Sequence, residues 1–408
     1  MLTRVSKTGK SLKSTVDDGL LTVDVSFSRI FLIMLLLFCF NVRSSAQFFP
    51  WAEKRINMVY DIIEGDSNKP HKKIFFVLPI WGVYPETGWR LGISLVQIFH
   101  TKQDSTRPSL ARLNMQYTQY DQYSIRPYTD IYLSRNRYNI RSYLTYSRFA
   151  EYYWGIGQNV TDATKELYHF DLLRYNMRVT RQVIPNLYAG PQLQFESMFN
   201  MSYNGIDNKG TSYSILDSSQ VEGNHGSFTL GAGLVLAYDN RNQIYYPTKG
   251  AYLEVSALLN NKAIGSEYNF INTTIDLRKY SSLTKSTVLA LQGYVNMNAG
   301  TLPFRQLAVM GSDMIMRGYY NGRFRDMNMA ATQFEFRQHV WGPLAITGFA
   351  GLGNVGASFG DLGNNIKYNY GGGLRILAFR REHVNIRIDY GRGNNGIQGF
   401  YFTMNEAF

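Results

Sequence analysis

The sequence predicts an all-β protein, a 16-stranded antiparallel transmembrane β-barrel. Three observations predict it. Aromatic residues make up 15% of the 408 residues (30 Tyr, 25 Phe, 5 Trp). Charged residues reach only 18%, against about a quarter in ordinary soluble domains. Apolar and polar residues alternate over stretches of strand length, and charged residues recur on the polar face. No apolar run approaches the roughly 20 residues of a membrane-crossing helix. The single Cys39 excludes a disulfide scaffold. The aromatic and aliphatic content excludes disorder.

The longest apolar run, IFLIMLLLFCF from Ile30 to Phe40, has the length of a signal-peptide core. Arg29 precedes it, and Ser44 and Ala46 are the small residues before a cleavage point at Gln47. Residues 1–46 are therefore read as a signal peptide with a long n-region, as a start codon assigned too far upstream would leave. Phe38, bulky in front of Cys39, argues against a lipoprotein. Residues 1–46 carry six Lys or Arg and three Asp, so their removal takes the net charge from +12 to +9. Lys and Arg are scattered singly through strands and turns, with no basic helix, and export argues against nucleic acid. A polar, arginine-bearing interior or anionic lipid head groups account for the charge.

Residues 47–73 form a short periplasmic segment. Trp51, Ile56, Val59, Tyr60 and Ile63 share a helical spacing there. The segment is read either as an amphipathic helix, in the bore or on the membrane surface, or as a loose tether.

The barrel is expected over 74–408. Its strands are read at 75–82, 88–99, 109–120, 123–134, 138–148, 168–183, 187–199, 226–238, 250–260, 268–280, 286–297, 329–340, 343–354, 367–378, 383–393 and 398–408. In 268–280, Ile271, Thr273, Ile275 and Leu277 share one face, and Asn272, Thr274, Asp276 and Arg278 the other. In 383–393, Val384, Ile386, Ile388 and Tyr390 oppose Asn385, Arg387 and Asp389. Phe334 and Phe336 oppose Gln333, Glu335 and Arg337. A soluble sandwich also alternates; the charged set repeated strand after strand is what a wet interior requires. Tight turns at 184–186, 341–342 and 379–382 fall at the periplasmic end. Long links at 149–167, 200–225, 298–328 and 355–366 fall outside. An even strand number and pairing of the last strand with the first would leave no edge in lipid.

Three stretches carry more than barrel composition. YDNRNQIYYPTKGAY (238–252) joins two strands through a D-x-R-x5-P-x2-G turn with Asp239, Arg241, Pro247 and Gly250. MRGY (316–319) lies in the longest link among Gly311, Gly318 and Gly322. The third is the set QFEFR (333–337), GFAGLGNVG (348–356), GGGLR (371–375), IRIDYG (386–391) and Phe408. Together with LPIWGVYPETGWRLG (78–92), these resemble the bacterial surface antigen barrels, the BamA/TamA-like superfamily, from roughly Pro79 to Phe408.

The resemblance implies sixteen strands and a sixth extracellular loop folded back into the lumen. It implies that Arg317 pairs with carboxylates on the barrel wall, that Gly318 allows the close approach, and that Tyr319 packs beside it. Glu335 stands at the family's acidic position. Gly351 stands where the family usually has Asp, so either Glu335 acts alone or Asp389 or Asp276 substitutes. A guanidinium in a partly desolvated lumen also calls for a bidentate acceptor on physical grounds. Glu406 departs from the usual apolar residue two before a terminal Phe. Residues 47–73 are too few for a periplasmic polypeptide-transport-associated (POTRA) domain, so the resemblance implies a member without them. Pro79, which cannot donate in a ladder, and Phe408 are read as a closure seam, either a lateral gate or an ordinary barrel edge.

No enzyme, metal site or cofactor is expected. None of the six histidines sits at metal spacing, and no G-x-S-x-G elbow occurs. Ser94 and Ser142 are the serines an outer-membrane lipase reading would use. GIDNKG and GDLGNN are read as solvated loops, with Ca²⁺ binding as the sharper alternative. The expected location is the bacterial outer membrane. The expected role is insertion or translocation of polypeptide, or membrane biogenesis; a passive solute pore is the alternative. The expected partners are outer-membrane lipid, unfolded outer-membrane or secreted polypeptides, and a periplasmic POTRA-bearing or lipoprotein partner.

Overall fold

The computed structural model describes residues 74–84, 86–101, 106–133, 135–206, 214–380 and 383–408. The expected signal peptide (1–46) and the segment 47–73 lie outside the described residues.

Sixteen strands form one antiparallel sheet in which each pairs with the next in chain order. They are β1 (Ile74–Tyr84), β2 (Gly88–Phe99), β3 (Ser109–Thr118), β4 (Tyr123–Leu133), β5 (Tyr138–Tyr153), β6 (Glu166–Ile184), β7 (Leu187–Ile206), β8 (Ser227–Asp239), β9 (Gly250–Asn260), β10 (Phe270–Ser282) and β11 (Thr287–Gly300). After the sixth outer loop come β14 (Asn328–Trp341), β15 (Leu344–Gly356), β16 (Lys367–Phe379), β17 (Val384–Gly393) and β18 (Gln398–Met404). Within that loop β12 (Ala308–Met310) and β13 (Phe324–Asp326) pair as a separate hairpin. Three residues of alternation each are too short a signal to read from sequence.

Alternation sorts the side chains as period two demands. On β8, Leu234 and Leu236 face out, with Leu234 69% exposed, while Val235 and Ala237 are buried on the inner face. On β10, Ile271 and Leu277 face out and Asp276 and Tyr280 in. The sheet is rolled, because inner-face side chains meet across it. Arg178 of β6 reaches Glu254 of β9 at 2.5 Å. Arg107, ahead of β3, reaches Asp239 at the end of β8 at 2.6 Å.

The first and last strands share no ladder among the described residues. Side chains span the interval instead. Phe76 of β1 lies 4.4 Å from Phe379 of β16, ring to ring, in a cluster with Val96, Val384 and Met404. The last strand stops at Met404, four residues short of the expected end. Asn405 has φ of 65°, and the chain turns inward. Phe408 is therefore not at the seam: it is buried with Tyr280, Ala290 and Ala407. The cause is polar, since Glu406 accepts from Arg375 and the Phe408 carbonyl accepts from Arg337. Pro79 does lie on edge strand β1, opposite Ile93 and facing outward.

Leu234→Arg places a charge on the outer face at mid-strand and is expected to cost about 2–4 kcal/mol of barrel stability, while Gln192→Arg on the inner face costs much less. Urea titration of the folded form in lipid vesicles measures both; equal losses would contradict the assignment of faces.

Candidate functional site in the bore

The sixth outer loop (301–327) runs from β11 to β14 and places Arg317 at the centre of an ion network. Its Nη1 lies 2.7 Å from Glu335 Oε2 on β14 and 2.6 Å from Asp389 Oδ2 on β17. All three side chains are fully buried. The guanidinium carbon sits 3.5 Å from the centroid of Phe349 on β15. The expected two-pronged pairing is replaced by one nitrogen shared between two carboxylates. Phe349 covers the guanidinium face, while the other oxygens of Glu335 and Asp389 serve Arg337 (2.7 Å) and Arg375 (2.5 Å).

Four fully buried arginines meet here: Arg317, Arg337, Arg375 and Arg387. Glu335, Asp389, Glu406 and Asp313 answer them. A guanidinium taken out of water costs several kcal/mol unless paired and hydrogen-bonded, so the network forms as a unit. Glu406, the departure from the usual terminal pattern, is part of it. It takes Arg375 at 2.7 Å and Asn385 at 2.8 Å.

Glycines allow the approach. Gly318 has φ of 111°, and a Cβ there would stand 3.0 Å from the Arg392 nitrogen. On the facing strand, a Cβ at Gly391 would stand 2.7 Å from the Arg317 carbonyl carbon. The Gly318 N–H donates to the Tyr401 hydroxyl (2.9 Å), and Asn369 donates to the Arg317 carbonyl (2.8 Å). Tyr319 points past Arg317 to the outer rim. Its hydroxyl accepts from the Asn394 N–H at 2.8 Å, and its ring packs on Phe324. Gly351 also has a reason: a Cβ there would meet Asn369 Oδ1 at 2.7 Å. Asp389 takes the acidic role. Asp276 does not reach Arg317; it is held by Arg278 (2.5 Å) and Gln292 (2.9 Å).

The turn motif lies at the periplasmic end. Asp239 receives two nitrogens of Arg241 (2.9 and 3.0 Å) and Arg107. Burial works to lower the Arg241 pKa, but the Asp239 carboxylate outweighs it and raises it. Gly250 has φ of 102°, and a Cβ would stand 2.5 Å from the Asn240 carbonyl oxygen. The link then crosses beneath the bore, where Tyr245 packs with Val96, Ile98 and Phe379. Arg337 donates to the Pro247 carbonyl at 3.3 Å. The two motifs, distant in sequence, thus meet at Arg337, a residue that sequence reading placed on the inner face without assigning it to the site. Its buried position between two carboxylates was encoded only in the register of β14.

Neither serine of the lipase reading faces a histidine across its ladder. Ser94 lies opposite Leu78 and Asn114, and Ser142 opposite Thr129 and Met177. No cluster of three metal-ligating side chains occurs among the described residues.

A family model described as the Omp85 superfamily domain matches residues 107–408. Among solved structures, the chain is similar to BamA from Haemophilus ducreyi lacking POTRA domains 1–3. That match has a TM-score of 0.52 at 14% identity and covers 82% of this chain and 70% of that one. It is also similar to CdiB from Acinetobacter baumannii, with a TM-score of 0.50 at 11% identity, covering 82% of this chain and 59% of that one. At these identities the likenesses speak for the fold alone. No curated protein matches the sequence.

Arg317→Ala removes one cation from the network and leaves Arg337 and Arg375 to hold Glu335 and Asp389. It is expected to cost about 3–5 kcal/mol and to expose loop 301–327 to trypsin within a barrel that still shifts mobility on heating. Arg317→Lys recovers part of the protection, because a lysine lacks the planar face that covers Phe349. Identical digestion of all three proteins would show that the loop is held some other way.

Proposed function

Because the chain belongs to the Omp85 superfamily, a family of outer-membrane β-barrels, we propose that it acts without catalysis in inserting or translocating polypeptide at the outer membrane. One observation carries the reading: a loop anchored in the bore by Arg317 between Glu335 and Asp389. Such an anchor is more than a barrel needs merely to stand in lipid. The loop is tied to β14 and to β17, next to the last strand of the sheet, and to β15 through Phe349. A change at the seam between β1 and β18 therefore acts on the same strands that hold the loop.

The seam supports this reading. Two edges joined by side chains rather than by a ladder separate at lower cost than a paired sheet, since fewer backbone hydrogen bonds are lost. An unpaired strand edge is also a template for another strand. The partners on this reading are membrane lipid, an unfolded polypeptide, and a periplasmic POTRA-bearing or lipoprotein chain that delivers it. The passive-pore reading finds less support, because loop 301–327 and residues 405–408 enter the bore and the link 240–249 crosses beneath it.

The full chain reconstituted in phosphatidylcholine vesicles is expected to speed the folding of a urea-denatured eight-stranded outer-membrane barrel, read as its heat-modifiable mobility. Arg317→Ala is expected to lose most of that effect while remaining folded itself. In planar bilayers the unaltered chain stays mostly closed, and Arg317→Ala shows larger, more frequent openings. Equal acceleration by both proteins would sink the role given to the loop; a steady open conductance from the unaltered chain would favour the pore.

A further inference from the structure

The arginines of the lock are matched by carboxylates. On the inner face of β3 and β4, Arg112 and Arg126 are not, although Arg141 of β5 pairs with Asp130. Arg126 of β4 lies directly across from Asn114 of β3, with Arg112 and Gln116 on the two diagonal positions. Thr145 of β5 lies between the partners of Ser124 and Tyr128. The buried atoms Arg112 Nε, Arg126 Nε, Gln116 Nε2, Ser124 Oγ and Thr145 Oγ1 have no hydrogen-bond partner. The three nitrogens are donors and the two hydroxyls can donate or accept; Asn114 Oδ1, across from Arg126, is an unpartnered acceptor among them. Of the nearby carboxylates, Asp130 is held by Arg141, Glu151 by Arg305 and one oxygen of Glu196 by Arg174, while Glu196 Oε1 and Glu86 Oε2 have no hydrogen-bond partner and pair with neither Arg112 nor Arg126. Tyr143 and Glu151 lie close enough to Arg126 to favour its charge, and Arg90 and Arg174 close enough to repel it.

This wall is also enclosed. Above it, Glu86 and the Tyr152 N–H meet the hydroxyl of Tyr320 from loop 301–327. Below it, Val96, Ile98 and Leu110 pack with Tyr245 of the periplasmic link. Two guanidinium groups that make no ion pair among the described residues call for an anion in such a space.

We propose that the β3–β5 wall is a binding site for a phosphate monoester or free phosphate, held by Arg112 and Arg126. The charge identifies the class. A phosphate monoester carries about −1.5 to −2 at neutral pH, which matches two unanswered guanidiniums, whereas a carboxylate answers one. The geometry agrees. Guanidiniums on neighbouring strands present planar donor forks to the phosphate oxygens, and Gln116, Ser124 and Thr145 supply donors for the remaining oxygens. The same chemistry comes from a lipid headgroup or from soluble phosphate.

The test uses the full chain in neutral maltoside micelles, titrated with inorganic phosphate in one arm and with phosphatidic acid in the other. Saturable binding is expected in at least one arm. Arg112→Gln together with Arg126→Gln is expected to weaken it at least tenfold, and Arg148→Gln, on the outer face, to leave it unchanged. Binding of inorganic phosphate identifies a soluble ligand, and binding of phosphatidic acid alone identifies a headgroup. Binding in neither arm, equal binding by the double variant, or capture of polyglutamate in place of both phosphates would overturn the proposal. Should the double variant fail to fold, phenylglyoxal labelling of the unaltered chain replaces it. Phosphate then protects Arg112 and Arg126 if the proposal holds, and their unprotected labelling would overturn it.

Discussion

A guanidinium deep inside a barrel must find anions, and that requirement organises this molecule. Arg317 arrives on a loop whose Leu302, Phe304, Met310, Met316 and Phe324 are buried against the strands, but apolar burial alone would not bring a charge with it. It stays in the bore because Glu335 and Asp389 offer oxygens there and Phe349 offers a face. Those carboxylates are themselves affordable only because Arg337 and Arg375 hold them from the other side. Removing any one member leaves the rest buried with charge unanswered, so the network is cooperative in the sense that partial versions are worse than none. The loop, the last strands and the inturned residues 405–408 are bound into one unit by this rule.

The network also explains features that otherwise look like irregularities. Glu406 is polar where an apolar residue would suit lipid, because it never reaches lipid; it lies beside Arg375. The last strand is short because the chain after Met404 follows that carboxylate inward. Gly351 has no side chain because Asn369 occupies the space and uses its amide to hold the Arg317 carbonyl. The periplasmic link is joined to the same network through Pro247 and Arg337. The two ends of the bore are therefore mechanically connected through a few buried side chains, with Arg337 in contact with the link, the network and the inturned tail.

Most of the sheet was legible because period-two alternation is a strong, local signal. β2 and β9 have the bounds the sequence predicts, and the other barrel strands overlap their predicted spans. Strands β5 and β7 extend past their predicted ends toward the outer loops, where the alternation of apolar and polar residues fades. The end of β18 was missed for a different reason. Its residues alternate correctly, but Asn405 turns the chain and charge then decides its course. At the site, Arg317, Glu335 and Asp389 are legible in the sequence motifs, whereas the roles of Arg337, Arg375, Arg387 and Glu406 are not. Which inner-face residues share a height on strands far apart in sequence depends on shear and closure, and a single sequence contains no direct measure of either.

The distribution of arginine around the bore carries the last step. Had the interior arginines served only to solvate a wet lumen, their carboxylate partners would be spread evenly among them. Instead the wall from β14 to β18 pairs its arginines closely, and the wall from β3 to β5 leaves Arg112 and Arg126 without an ion pair among the described residues. The first arrangement sets four arginines against four carboxylates and is suited to fixing a loop. The second is open, because its energy falls when an anion enters. Both lie within one cylinder, divided by the loop that Arg317 anchors and that roofs the second wall through Tyr320. Anchoring the loop and enclosing the uncompensated charge are thus consequences of the same insertion, and whatever loosens Arg317 alters access to Arg112 and Arg126.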